Sequence, residues 1–298
     1  MLLGLALVCV AAVSWGTTGS VMALLARGGT PSPLLVGWAR MAGAAPCLLL
    51  ATFLLQPGIA RIGVAWPPSD WAKAALLGIA MAAYQLCYFW AVPRTGVALT
   101  AVLAICSAPI MITAGAALTL RERPARSTLV ALLLAVGGTA MVLLAPRVAG
   151  GAPREFIAGA IAAIGAGLFY AVYAVTAKGL LRRAAPLPLA AVTFTLAALL
   201  LTPVLAIERD AAAQLAAGWP LLVYLGVVPT AAAYVLFGAG LRRVTATAAG
   251  IATLLEPLTA AALGVLAFGE RLGAMGWAGA TLLLAALALL SRSRSGSQ

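Results

Sequence analysis

Apolar runs of twenty or more residues recur along the chain, separated by short clusters of charged residues, proline and glycine. A bilayer core of about 30 Å takes roughly 20 apolar residues in a helix. Cutting at the polar clusters predicts ten spans: 2–26, 34–55, 70–92, 96–120, 127–145, 155–180, 187–207, 219–240, 246–268 and 273–291. The segments between them, such as Arg27–Pro33, Gln56–Ser69, Arg121–Arg126, Pro146–Arg154 and Glu208–Gly218, read as loops too short for an extramembrane domain. Each span is expected to be helical, because an isolated segment in lipid must satisfy its own backbone. The first run has no Lys or Arg ahead of it and is about 25 residues long, so it reads as a permanent membrane helix rather than a cleaved signal.

The pattern repeats. Ser107–Arg123 reads SAPIMITAGAALTLRER and Leu255–Arg271 reads LEPLTAAALGVLAFGER. Pro109 with Glu122 matches Pro257 with Glu270 at a constant offset of 148, close to half of the 298 residues. Residues 1–148 and 149–292 are therefore read as two five-helix halves, followed by a short tail at 293–298. Five is odd, so the second half is expected to be inverted relative to the first. Inverted repeats with proline-interrupted spans point to a secondary transporter with its site at the repeat interface.

Basic residues set the expected orientation. One set of segments carries twelve: Arg61, Lys73, Arg121, Arg123, Arg126, Lys178, Arg182, Arg183, Arg242, Arg243, Arg292 and Arg294. The opposite set carries six, namely Arg27, Arg94, Arg147, Arg154, Arg209 and Arg271. The first set, with both termini and the tail, is expected to be cytoplasmic. Trp38, Trp66, Trp71, Trp90, Trp219 and Trp277 fall near span ends, as an aromatic belt requires, whereas Trp15 is mid-span.

Composition agrees with this reading. Hydrophobic residues make up 64%, charged residues 9%, and the mean hydropathy is +1.09; a soluble domain carries about a quarter charged residues. The net charge of +12 comes from basic residues dispersed among loops, which fits topology and not a nucleic-acid partner. Histidine is absent, removing the commonest general base and metal ligand. Cys9, Cys47, Cys87 and Cys106 all lie inside apolar runs and form no Cys-x-x-Cys, so they read as core residues, with neither metal nor disulfide expected.

At this point the chain resembles the EamA-type ten-helix transporters of the drug/metabolite transporter superfamily. The resemblance is carried by Trp15-Gly16, by Pro109 to Glu122-Arg123, and by Glu256-Pro257 to Gly269-Glu270-Arg271. The first copy reads Arg121-Glu122-Arg123 where a glycine is usual. In layout the chain is most similar to bacterial inner-membrane amino-acid exporters, aromatic ones included. The resemblance implies export of a small metabolite across a bacterial inner membrane.

Several polar groups sit where lipid would penalise them. Pro109 and Pro257 lie mid-span, each removing one hydrogen bond to the carbonyl four residues earlier, of Ile105 and Thr253. They are expected to kink their helices around a central cavity; a tolerated packing kink is the plainer alternative. Glu256 is an acid deep within a span, about ten residues or roughly 15 Å from its start. It suits proton coupling or amine binding, or a structural pair with Arg40. Arg40 is a base set deeper in a predicted span than Lys73 or Lys178, which lie close to their span ends. It could snorkel outward, pair with Glu256, or anchor a substrate carboxylate.

Tyr84 and Tyr88 share a face at i, i+4, with Gln85 at its edge. Trp15, Tyr170, Tyr173 and Tyr234 are further mid-span polar aromatics. Singly each reads as an interhelical hydrogen-bonding group; together they suggest an amphiphilic cavity wall. Ala163, Gly167 and Ala171, like Gly16 and Ser20, form small-residue ladders for close helix contact. Glu122 and Glu270, beside arginines, read as local salt bridges.

No phosphate-binding loop, zinc-protease or serine-hydrolase motif is present. The expectation is an all-α integral membrane protein with ten transmembrane helices in two inverted five-helix repeats around a central cavity. It is read as neither an enzyme nor a cofactor protein, with a lipid bilayer and a small-molecule substrate as partners. Amino acids are the foremost substrate and protons a candidate coupling ion. Cationic drugs are the alternative cargo, and a membrane enzyme or sensor the distant one.

Overall fold

The computed structural model describes residues 2–27, 32–56, 58, 66–144, 153–268 and 273–292. Arg61, Arg147, Gly269, Glu270, Arg271, Arg294 and the tail at 293–298 lie outside them. The first half consists of α1 (Leu2–Arg27), α2 (Pro33–Leu55), α3 (Pro68–Thr95), α4 (Val97–Thr119) and α5 (Arg126–Leu144). The second begins with α6 (Pro153–Leu180), α7 (Pro186–Leu201) and α8 (Val204–Ile207), followed by α9 (Ala211–Ala217). The eighth span is α10 (Trp219–Gly226), a π-helical stretch Val227–Ala232, and α11 (Ala233–Leu241). The ninth is α12 (Ala246–Ala252) and α13 (Leu255–Phe268), and the tenth is α14 (Ala274–Arg292).

Eight spans are long and apolar enough to cross a bilayer by themselves. The other two, α5 and α14, have 19 residues each, about 28 Å of helix at 1.5 Å per residue. The protein is an all-helical membrane protein of ten spans. The expected loop at Glu208–Gly218 instead holds the short helix α9. Its Gln214 accepts from the Ser32 amide at 2.8 Å and donates to the Arg209 carbonyl at 2.7 Å.

Local chemistry explains the span ends. Ser32 caps α2, accepting from the Leu35 amide at 3.3 Å, and Pro33 follows at the first helical position, where its missing N–H costs nothing. Gly96, at φ 80° and ψ 157°, joins α3 to α4 as a one-residue hinge. Side chains rarely tolerate that backbone.

The packing has two-fold character. α3 lies on α6, and the counterpart of this contact is α11 on α1. α4 lies on α6, matched by α12 and α13 on α1. α3 lies on α7, matched by α10 on α2. Two contacts, α2 with α7 and α5 with α14, join each span to its own equivalent. Glycines mark the same interfaces 148 residues apart: a Cβ on Gly78 would meet Leu196 of α7 at 2.7 Å, and one on Gly226 would meet the Gly43 backbone of α2 at 3.0 Å. Five spans per half put successive halves in opposite orientation.

Candidate functional site

Aromatic rings from both halves converge in the middle of the bundle. Trp15 of α1 lies 4.8 Å from Tyr234, 5.4 Å from Phe237 and 6.3 Å from Tyr170, centroid to centroid. Tyr84 of α3 is 5.7 Å from Tyr170 and 6.0 Å from Tyr88. Tyr173 is 5.7 Å from Tyr234, which Phe194 of α7 meets edge-on at 4.7 Å. These spacings are those of favourable aromatic pairs. The predicted residues Trp15, Tyr84, Tyr88, Tyr170, Tyr173 and Tyr234 thus share one cluster. Phe194 and Phe237 belong to it as well. Phenylalanine in an apolar span gives no polar signal, though Phe237 follows Tyr234 by three residues and shares its helix face.

The cluster is closely packed but carries polar atoms. Trp15 and Tyr170 are buried, at 5% and 8% exposure. The Trp15 indole nitrogen and the Tyr170 hydroxyl have no hydrogen-bond partner among the described residues. Leaving such groups unpaired costs about 1–3 kcal/mol each; buried side-chain atoms of Ser14, Thr18, Trp38, Thr139, Thr193 and Thr195 are likewise without a partner among the described residues. Tyr84, Tyr88 and Glu256 keep partial exposure amid this cluster.

Glu256 opens α13, and Arg40 projects from α2. Glu256 is within electrostatic range of Arg40, Tyr84, Tyr88, Tyr170 and Tyr234. Glu256 and Arg40 do not form a direct ion pair; Asp70 with Lys73, at 3.4 Å, is the pair seen among the described residues. Arg40 is buried instead of snorkelling, and its Nε donates to Thr230 Oγ1 at 3.3 Å. Thr230 stands in the π stretch beside Pro229. In an α-helix the nitrogen of residue 229 would pair with the Leu225 carbonyl, which proline cannot do. The Thr230 hydroxyl donates to that carbonyl at 2.7 Å, so the irregular turn both repairs its backbone and presents an oxygen to Arg40.

Gln85 turns away from the cluster. It is buried and donates to the Gly37 carbonyl of α2 at 3.4 Å, the interhelical bond that was its plainer reading.

The two prolines differ. α4 runs unbroken through Pro109. The ninth span breaks at Thr253–Leu254, just before Glu256 and Pro257. The Thr253 carbonyl, denied a partner at residue 257, accepts from the Glu256 amide at 3.0 Å. A Cβ on Gly16 of α1 would fall 2.7 Å from the Glu256 carbonyl oxygen, so glycine lets α1 approach the backbone at the break.

Glu122 makes no salt bridge with its arginine neighbours among the described residues. Its carboxylate accepts from the Ala246 amide at 2.9 Å and the Thr247 amide at 3.4 Å. Arg121 just before it holds φ 55°, the left-handed conformation usually left to glycine. That is the position at which the second copy carries Gly269.

Comparison with known proteins is consistent in kind. The profile of the EamA-like transporter family matches residues 2–144 and again 157–292. The chain is similar to the uncharacterized transporter YwfM of Bacillus subtilis, 35% identical over 291 residues, covering 95% of this chain and 92% of that protein. It is also similar to an uncharacterized transporter of Archaeoglobus fulgidus, 31% identical over 205 residues, covering 69% of this chain and 71% of that one. A crystal structure with 19% sequence identity superposes with a TM-score of 0.82 over 99% of both chains, which shows a common fold.

Proposed function

The chain belongs to the EamA-like transporter family, and from that premise we propose that this membrane transporter exports small amphiphilic metabolites, amino acids foremost, by alternating access. The observation that carries the reading is the cluster itself. Aromatic faces from both halves surround two unpartnered buried donors, with a carboxylate and a guanidinium within electrostatic range of the rings. Such a wall suits an apolar or aromatic side chain on a zwitterionic head. Arg40 is the anchor for the carboxylate and Glu256 for the ammonium, or for a coupled proton. The aromatic residues, with Arg40 and Glu256, form the substrate site, and Gln85 supports α2 behind it. Pro109 and Pro257 are the candidate bending points, in unequal measure. The halves 1–148 and 149–292 rock about the site, with both termini on the cytoplasmic side of a bacterial inner membrane.

Counterflow of radiolabelled amino acids in proteoliposomes tests the substrate: trans-stimulation by an unlabelled amino acid is expected, and its absence for all of them overturns the amino-acid reading. A second cargo, organic cations, is favoured by one observation, the lack of a direct ion pair between Glu256 and Arg40. Loss of transport in Glu256→Gln with retention in Arg40→Gln selects cations; loss in both selects zwitterions.

A further inference from the structure

The contact between the halves at the start of the ninth span does more than join two helices. α12 has seven residues, all buried, and a helix start leaves four amides without internal partners. The amides of Ala246 and Thr247 donate to Glu122 at 2.9 and 3.4 Å. The amide of Ala248 donates to Thr245 Oγ1 at 3.2 Å, and that of Ala249 makes the first intrahelical bond, to the Thr245 carbonyl at 3.0 Å. Two of the orphan amides are therefore satisfied from the first half and one from within the second half.

The preceding turn is held differently. Lys178 of α6 donates to the carbonyls of Leu241 at 2.6 Å and Val244 at 2.5 Å, a contact made within the second half. The Glu122 contact, by contrast, joins the two halves. It stands at the end of an antiparallel seam: Gly250 of α12 faces α4, where an added Cβ would lie 3.2 Å from Ile112 Cδ1 and 3.5 Å from Pro109 Cα. Ile112 is fully buried there.

We propose that Glu122 is the gate latch at this face of the membrane, its carboxylate holding the α12 N-terminus while the face is closed and releasing it when the α4–α12 seam opens. The proposal rests on alternating access between the two halves. Its physical basis is reversibility. Separated, the carboxylate and the two amides are all solvated by water, so the cost of opening is the net worth of charge-assisted hydrogen bonds and not a stranded charge. A buried salt bridge would lack this property if one partner stayed dry. The left-handed Arg121 fits the same purpose. Its backbone turn carries Glu122 out of the helix axis, and the Glu122 amide returns to the Ala116 carbonyl at 3.1 Å.

The test uses the full chain with its four cysteines replaced by alanine and one cysteine introduced as Ile112→Cys, reconstituted in proteoliposomes and labelled with a maleimide. Glu122→Gln is expected to raise the labelling rate at least about tenfold, the factor that losing one charge-assisted hydrogen bond predicts. Glu122→Asp, which keeps a shorter carboxylate, should fall between. Thr245→Ala removes a cap within the second half and is expected to leave the rate near that of the parent. Equal acceleration by Thr245→Ala and Glu122→Gln would show that the carboxylate only stabilises α12, and no acceleration by either would remove the latch altogether. Labelling needs no substrate, so it stays readable if every transport assay is negative. Transport that proceeds with labelling unmoved overturns the latch and leaves the transport reading standing.

Discussion

The fourth and ninth spans carry the same proline 148 residues apart, yet one is a single helix and the other is two. Proline is therefore not sufficient to break a span. The difference follows from what each side of the proline touches. α12 lies chiefly on α4, whereas α13 lies chiefly on α1. The ninth span is thus docked to different partners above and below its break. α4 rests on α6 along its length, with Gly167 at the contact, where a Cβ would meet the Ala104 carbonyl at 2.8 Å. The glycine that approaches the ninth span is Gly16 of α1. The acid sits on the broken copy alone: Glu256 corresponds to Ala108. The two copies share the proline, and only the second has the break and the acid.

The charge gives the largest expected contrast. Glu256→Gln should lower transport in proteoliposomes by about 100-fold or more, an effect of about 2.7 kcal/mol on the transport barrier. A matching acid introduced as Ala108→Glu should not restore it. Restoration would mean that the position in the repeat matters less than the presence of a carboxylate.

Packing at the break comes next. Gly16→Val places branched carbons where even a Cβ would meet the Glu256 carbonyl oxygen at 2.7 Å and Thr259 Cβ at 2.6 Å. Overpacking of this kind costs about 1–3 kcal/mol, visible as a lower thermal midpoint in detergent. Pro257→Ala returns a backbone N–H that can pair with the Thr253 carbonyl, and it should slow transport about tenfold, or about 1.4 kcal/mol. Pro109→Ala, in the unbroken copy, is expected to stay within about twofold, under about 0.5 kcal/mol. Equal losses from the two prolines would erase the distinction between the spans.

The last expected effect is on stability alone and concerns the helix end. Arg121→Gly puts in the first copy the residue that the second copy carries at the matching position. Relief of the left-handed backbone should raise stability by about 1 kcal/mol, read as a higher thermal midpoint, with transport unchanged.

Much of this was legible in the chain because lipid restricts the alternatives so strongly. A run of apolar residues in a bilayer has to be helical, which is why the ten predicted spans correspond to helices within a few residues. Polar aromatics within spans stood out for the same reason, and Trp15, Tyr84, Tyr88, Tyr170, Tyr173 and Tyr234 do share one cluster. Phe194 and Phe237 had no such signal. Gln85 looked like its tyrosine neighbours in sequence, but a step of one residue turns a side chain by about 100° around the helix, and it meets the Gly37 carbonyl. Glu122 was misread because arginines flank it in sequence, while its partners are backbone amides 124 and 125 residues away.

The sequence by itself determined that the chain is a ten-span helical membrane protein built on a duplicated plan, since hydropathy, span count and a constant offset are properties of the chain alone. Tertiary structure decided where each polar group finds its partner: Arg40 on a hydroxyl presented by a π-helical turn, Glu122 on the amides of a span from the other half. It also decided which proline breaks its helix. Those outcomes depend on docking between segments more than a hundred residues apart, and a local pattern holds no record of which amide or carbonyl a distant helix leaves free.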